Sequence, residues 1–256
     1  MPLLEVREVS KRFGGVQALD RVTFDVEPGR ITGLIGPNGA GKTTLFHVIG
    51  GYIMADRGEI RFSGERIDTL PPYRIARLGI ARTFQDLKLF RRLSAVENVL
   101  LAFPDQPGER VLAALAGRRP AASEDPLQRR AREILDQVGL GARADEPVDR
   151  LPYGDQKLLA IARTLATGAR LVLLDEPVAG LPLGLIDTVL SLVRDLVTAG
   201  RTVLLVDHNM EAVMAVSDRV VALDHGRVIA AGPPDVVRAD PTVIATYLGT
   251  TLVARP

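Results

Sequence analysis

The run Gly36-Pro37-Asn38-Gly39-Ala40-Gly41-Lys42-Thr43, followed by Thr44, spaces glycine, lysine and hydroxyl residues as a phosphate-binding loop does. Its glycines let successive backbone amides turn inward around phosphates, and the start of the following helix adds partial positive charge. Lys42 is placed to reach the β- and γ-phosphates of a purine nucleoside triphosphate, and the Thr43 hydroxyl to hold the magnesium ion that bridges them. The motif needs a strand before it and a helix after it. The apolar run Ile31 to Ile35 and the helix-like run Thr44 to Ile49 supply both. The chain has four lysines, so a merely structural glycine turn that ends by accident in Gly-Lys-Thr is a poor account of the pattern.

Hydrolysis of a triphosphate needs an acidic station on a neighbouring strand, and Leu171-Val172-Leu173-Leu174-Asp175-Glu176 reads as one. Asp175 is expected to hold magnesium through its outer shell, and Glu176 to orient and polarise the attacking water as general base. The bland alternative, an acidic turn before Pro177, loses weight downstream of a complete phosphate loop. Gln85 has a neutral amide able to ligate magnesium and respond to the γ-phosphate at a hinge. His208 follows the buried run Thr202 to Val206, at the carboxyl edge of a sheet where α/β proteins bind ligands, and there it can contact γ-phosphate. His47 and His225 read as a helix residue and an exposed turn residue. Phe13, in the turn Lys11-Arg12-Phe13-Gly14-Gly15, is a candidate platform for stacking a purine; an aromatic beside strands is otherwise a core residue.

Composition bounds the rest. The chain has 256 residues, 46% of them apolar and 25% charged, and no run of eighteen apolar residues. With 32 Lys and Arg against 31 Asp and Glu, no strong overall field attracts nucleic acid or anionic lipid. The absence of cysteine excludes a disulfide framework, and neither this nor the opening residues argue for a secreted protein, so a cytoplasmic location is expected.

The elements that must position these groups fall into two kinds. Strands are expected over 3–9 and 21–26, then a hairpin over 59–62 and 65–67 turning at Ser63-Gly64. Residues 88–155 read as an inserted helical subdomain, with a capping box at Ser94-Ala95-Val96-Glu97 and a helix opening at Pro126 and ending at Gly139. Residues 103–125 form a Pro-, Gly- and Ala-rich loop with a short apolar stretch, 111–115. Helices over 156–167 and 185–198 alternate with buried strands over 171–174 and 202–206, which implies a parallel sheet with crossovers. A hairpin at Asp224-His225-Gly226 and two short helices, 234–238 and 241–248, close the chain, with frayed residues after them.

The order Phe13, phosphate loop, Gln85, Leu151-Pro152-Tyr153-Gly154-Asp155, Asp175-Glu176, His208 resembles the nucleotide-binding subunits of ATP-binding-cassette (ABC) transporters over nearly the whole chain. Leu151 to Asp155 corresponds to the family's signature loop, usually Leu-Ser-Gly-Gly-Gln. The resemblance implies one α/β domain, residues 1–256: a P-loop NTPase (RecA-like) core with an N-terminal antiparallel β element over 1–87 and 156–256, and the inserted helical subdomain over 88–155. It implies that two such subunits sandwich two molecules of ATP with Mg2+, each held by one subunit's loop and the other's signature residues Tyr153, Gly154 and Asp155. It also implies partners: a second ATPase subunit, integral membrane permease subunits on whose cytoplasmic face the pair sits, and indirectly a periplasmic or extracellular solute-binding protein. Gly79 to Gln85, Leu89-Phe90, Tyr153 to Gln156, Ala179-Gly180-Leu181 and Tyr247-Leu248-Gly249 look like the branched-chain amino acid importer branch. That branch includes relatives handling urea, amides and other substrates; the alternative is an ATPase of another transport system, for urea or amides or of the lipopolysaccharide-export type, and the chain by itself does not choose import over export.

Two residues depart from the family pattern. Pro152 stands where relatives carry a hydroxyl that bonds the γ-phosphate across the dimer, and Pro182 where they carry Asn or Asp. Both belong to elements given to the partner's site, which points to an asymmetric heterodimer; the alternative is that backbone amides suffice and a homodimer forms. A nucleic-acid-associated relative is disfavoured by length and charge, and a non-hydrolysing regulatory module by the presence of Lys42, Asp175, Glu176 and His208. Contact with the permease is expected near residues 85–92, with Arg91 and Arg92 as its charged surface.

Overall fold

The computed structural model describes residues 1–104 and 126–253. The expected loop 103–125 lies almost wholly outside the described residues, and its apolar stretch 111–115 entirely so. The chain divides into two compact units, 1–85 with 169–256 and 86–168. The helix after the signature residues, expected in the core, belongs instead to the second unit. Its apolar face packs with the two helices before it, so its packing partners, not its place in the sequence, assign it.

The first unit contains two sheets. One is antiparallel, ordered β2-β1-β4-β5, with β1 Leu4–Phe13, β2 Val16–Val26, β4 Arg57–Phe62 and β5 Glu65–Arg66. β1 and β2 run well past the expected ends at Val9 and Arg21, to a hairpin tip where Phe13 pairs with Val16. Polar residues along this stretch hid it from apolar periodicity; backbone pairing carries it.

The second sheet is ordered β10-β9-β3-β8-β7-β6, with β3 Ile31–Ile35, β6 Ile80–Arg82, β7 Leu171–Asp175, β8 Thr202–Val206, β9 Arg219–Asp224 and β10 Arg227–Gly232. From β9 to β6 the strands are parallel, and β10 returns antiparallel beside β9. All five residues of β3, β7 and β8 are buried, the unbroken burial of strands covered on both faces. Register aligns Leu34 with Val206 and Val206 with Asp175, which brings the carboxyl ends of three strands, and the loops leaving them, to one edge. The core of this unit joins both sheets through Phe24, Phe46, Phe62, Leu34 and Leu173.

Helices α1 Lys42–Ile49, α2 Pro72–Leu78, α6 Leu183–Thr198, α7 Met210–Val216, α8 Pro234–Ala239 and α9 Pro241–Val253 complete the unit. α2, β6 and α7 are too short for their periodicity to stand out in the sequence. α9 continues five residues beyond the expected end at Leu248.

The second unit holds α3 Ala95–Leu100, α4 Pro126–Gln137 and α5 Tyr153–Ala166. The capping box of α3 is formed in both directions: Glu97 N–H donates to Ser94 Oγ at 3.3 Å, and Ser94 N–H donates to Glu97 Oε2 at 2.7 Å. Asn98 is fully buried here and its amide is fully used, accepting from Phe90 N–H and donating to Phe90 and Ser94 carbonyls.

Candidate nucleotide site

The phosphate loop spans the gap between β3 and α1. Gly41 caps α1 at φ 102°, and a Cβ there would lie 2.4 Å from the Ala18 carbonyl of β2, so only glycine lets β2 close on the loop. Gly36, at φ 153°, is as tightly confined, by the Leu223 carbonyl. Lys42 Nζ donates to the Gly36 and Pro37 carbonyls at 2.6 and 2.9 Å. Asn38, Gly39 and Thr43 are exposed, Pro37 and Thr44 half-buried, and Ala40 buried, where its carbonyl accepts from Gly226 N–H.

Glu176 leaves β7 in the left-handed region at φ 51°, and its N–H donates to the Val206 carbonyl at 2.7 Å. A non-glycine residue held there stores strain, and the surroundings explain how it is held. Gln85 Nε2 donates to Glu176 Oε2 at 3.1 Å, and His208 Nε2 contacts Oε1 at 2.5 Å. The structure thus brings Gln85, Glu176 and His208, separated widely in sequence, onto one carboxylate. Asp175 N–H donates to Thr83 Oγ1, and Arg82 Nη2 donates to Asp175 Oδ2 at 2.6 Å.

Burial pushes the Lys42 ammonium below the usual lysine range, and the Glu176 and Asp175 carboxylates oppose that shift. Triphosphate binds the charged form, so ATP affinity should fall as pH rises through this lowered value of the free protein. We expect ATP titrations between about pH 7 and about pH 10 to show the fall beginning below the ordinary lysine pKa of about 10.4. A profile flat up to that value would contradict it.

Phe13 sits at the hairpin tip, 46% exposed, with Lys11 Nζ 5.5 Å from its ring centre. The core alternative for this residue is thereby removed: a ring this exposed at a hairpin tip retains surface on which a base could stack. His47 lies on α1 with its ring edge-on to Tyr52, and His225 is an exposed turn residue.

The signature residues lie in the other unit. Pro152 caps α5 without a side-chain hydrogen bond, Tyr153 is exposed under the Lys157 ammonium, Gly154 is buried, and Asp155 pairs with Arg143 at 3.2 Å. Pro182 likewise caps α6 without a side-chain bond. Restoring a hydroxyl acceptor at the first of these caps should stabilise the helix by about 1 kcal/mol. Pro152→Ser is therefore expected to raise the urea midpoint; a lowered midpoint would show that the proline's rigid backbone matters more than the cap.

Three residues at this site have no individual role legible in the sequence. Asp207, 4% exposed, accepts from Val178 N–H and Asn209 N–H, and so ties the turn after Glu176 to the turn carrying His208. A lone Asp beside His208 was the hint available. Tyr247 of α9 accepts from the Gly36 amide, and burial raises its phenol against that bond. Arg82 was visible only as one letter of Gly79 to Gln85.

Thr43, Asp175 and Gln85 offer hydroxyl, carboxylate and amide oxygens, the donors a hard cation such as Mg2+ takes. Among the described residues no group of three or more His, Cys, Asp or Glu is arranged to hold a metal alone.

A strand, phosphate loop and helix beside an acidic strand end, with a glutamine and a histidine on the same carboxylate, define a nucleotide-hydrolysing cassette. The family model described as ABC transporter matches residues 19–179, and the chain belongs to that family as an ATP-binding, ATP-hydrolysing transport subunit. A second model, described as branched-chain amino acid ATP-binding cassette transporter, matches residues 227–252. The chain is 41% identical to the high-affinity branched-chain amino acid transport ATP-binding protein BraF of Pseudomonas aeruginosa, covering 97% of this chain and 98% of that protein. It is 38% identical to LivG of Escherichia coli K12, with the same coverage of each. Among solved structures, an ATP-binding cassette of an ABC transporter in its ADP conformation superposes with a TM-score of 0.84 at 33% identity, covering 97% of this chain and 99% of that one. A dimeric cassette bound to ADP and Pi gives 0.75 at 25% identity, covering 90% and 98%.

Proposed function

We propose that this chain drives uptake of branched-chain amino acids, as one of two ATPase subunits on the cytoplasmic face of a membrane permease fed by a solute-binding protein. The observation that carries the catalytic part is the Glu176 carboxylate, held between Gln85 Nε2 and His208 Nε2 at the strand edge that also carries the phosphate loop. The solute class rests on the match of residues 227–252 and on the named relatives.

In this reading ATP stacks its base on Phe13 and lays its phosphates in the loop from Gly36 to Thr44. Amides of the loop and of the first turn of α1 donate to the phosphates, and Lys42 transfers its ammonium from the Gly36 and Pro37 carbonyls to the β- and γ-phosphates. Thr43, Gln85 and Asp175 would hold Mg2+, which when bound neutralises charge on the β- and γ-oxygens. Glu176 accepts a hydrogen bond from the attacking water and polarises it as general base, and His208 steadies the transferred phosphoryl group. Glu176 meets Gln85 and His208 directly, so arrival of a γ-phosphate that recruits either of them changes the general base's own contacts.

Tyr153, Gly154 and Asp155 act on the ATP of the other subunit. Pro152 and Pro182 provide no hydroxyl or amide there, which favours an asymmetric heterodimer. Arg91 and Arg92 are both exposed, which supports reading them as the charged surface that meets the permease.

The test is uptake of labelled leucine into proteoliposomes holding the permease, this chain, its partner ATPase and the solute-binding protein. ATP-dependent uptake is expected. Robust ATP hydrolysis without uptake of leucine, isoleucine or valine would remove the solute assignment.

A further inference from the structure

A buried guanidinium has a high cost unless every donor is used, and Arg82 does not use them all. Its side chain is 5% exposed, Nη2 donates to Asp175 Oδ2 at 2.6 Å, and among the described residues Nε and Nη1 have no hydrogen-bond partner. Three aromatic rings surround it: the guanidinium carbon lies 5.4 Å from the centre of Phe46, 5.9 Å from Tyr52 and 5.2 Å from Phe84. These rings attract the charge, but they leave two donors unpaired. A methionine or leucine of similar bulk would fill the same space without that loss. The position therefore serves something other than stability.

What it touches names the service. Asp175 is the carboxylate assigned above to the magnesium shell, and its side chain is also 5% exposed. β6 and β7 pair with Arg82 opposite Leu173, so Arg82 and Asp175 leave adjacent strands toward the same edge. The residues that follow Arg82 grip the same strand end: Thr83 Oγ1 accepts from Asp175 N–H, and Gln85 reaches Glu176. Without Arg82, the site would hold two adjacent carboxylates, Asp175 and Glu176, against the single Lys42 ammonium in the loop, an arrangement that attracts a divalent cation before any nucleotide arrives.

We propose that Arg82 is a positioning residue that acts as a built-in counter-cation: it occupies Asp175 Oδ2 and cancels its charge, so that the site takes up a divalent ion with the nucleotide rather than ahead of it. This rests on the reading of Asp175 as the metal-associated carboxylate. The consequence is an order of binding. Free divalent ion does not settle against Asp175 in the empty site, where it would compete with Lys42 for room and charge, and the metal enters already bound to phosphate oxygens.

The test uses Mn2+ as a paramagnetic stand-in and reads its binding by electron spin resonance, with and without ATP, in full-length protein. Wild type without nucleotide is expected to bind Mn2+ weakly. Arg82→Met should bind it about tenfold or more tightly in the absence of ATP, because a positive charge has been removed beside a buried carboxylate. Arg82→Lys should restore weak binding by charge alone, and Arg82→Met with Asp175→Asn should abolish the gain. A simple packing defect would lower the thermal midpoint without creating nucleotide-free Mn2+ binding. Unchanged or weaker Mn2+ binding in folded Arg82→Met overturns the proposal, and so does a gain that survives Asp175→Asn. Asp175→Asn alone keeps the two levels apart: if it leaves Mn2+ binding in the presence of ATP unchanged, the reading of Asp175 fails; if it weakens that binding while Arg82→Met behaves as wild type, only the role of Arg82 fails.

Discussion

Glu176→Gln should lower the rate of ATP hydrolysis by roughly 10²- to 10⁴-fold, the span that a positioned general base contributes, while leaving ATP affinity within a few-fold of wild type. The amide keeps the size of the carboxylate and its seat at φ 51°, where the Glu176 N–H bond to Val206 holds the backbone. It removes one of the two acceptor oxygens that receive Gln85 Nε2 and face His208 Nε2, and with it the ability to polarise water. Because the fold and the phosphate loop are untouched, the loss belongs to the chemical step. Single-turnover hydrolysis and equilibrium binding of a fluorescent ATP analogue, measured side by side, separate the two quantities. A variant that hydrolyses ATP at the wild-type rate would remove Glu176 from the mechanism. The same protein tests the asymmetric pair: with ATP bound and hydrolysis blocked, it should remain a monomer by light scattering and dimerise on addition of the partner ATPase. A doubled mass from this chain alone would favour a homodimer and make Pro152 harmless.

Lys42→Met should weaken ATP binding by about 10- to 100-fold, the scale of one charge-assisted hydrogen bond to phosphate, without lowering the thermal midpoint. The second half follows from the ammonium's environment. Burial makes its charged form less favourable in the folded protein than in the unfolded chain, so its folded pKa lies below its unfolded one. The unfolded chain then binds more protons in the window between those values, and Lys42 opposes stability at neutral pH, less so as pH rises through that window. Methionine removes this opposition along with the bonds to the Gly36 and Pro37 carbonyls, bonds that the solvent-facing loop can replace with water. Calorimetry with and without ATP checks both parts. A fall in midpoint of the nucleotide-free variant would show that the two loop bonds outweigh desolvation; unchanged ATP affinity would remove Lys42 from phosphate binding.

The chain's own residues determined most of the nucleotide site. Glycines, lysine and threonine at fixed spacing specify a loop whose geometry is local, since consecutive amides and one helix start make the phosphate cradle. Asp175-Glu176 at the end of an apolar strand is legible for the same reason: four buried residues and then two charges mark where a strand leaves the core. The capping box at Ser94 and the turn at Asp224-His225-Gly226 were likewise readable from neighbouring letters. What the tertiary structure alone decided depends on contacts between distant residues. Sequence order could not show that Gln85 and His208 meet on Glu176, because that follows from the placing of β6, β7 and β8 side by side. β6 is three residues long, too short to have a period, yet it places Arg82 on Asp175. Asp207 gains its role from two turns that only the sheet brings together, and the helix after the signature residues joined the helical unit through its packing partners. Local spacing encodes a loop; which side chains share its edge is set by strand order, which no single segment carries.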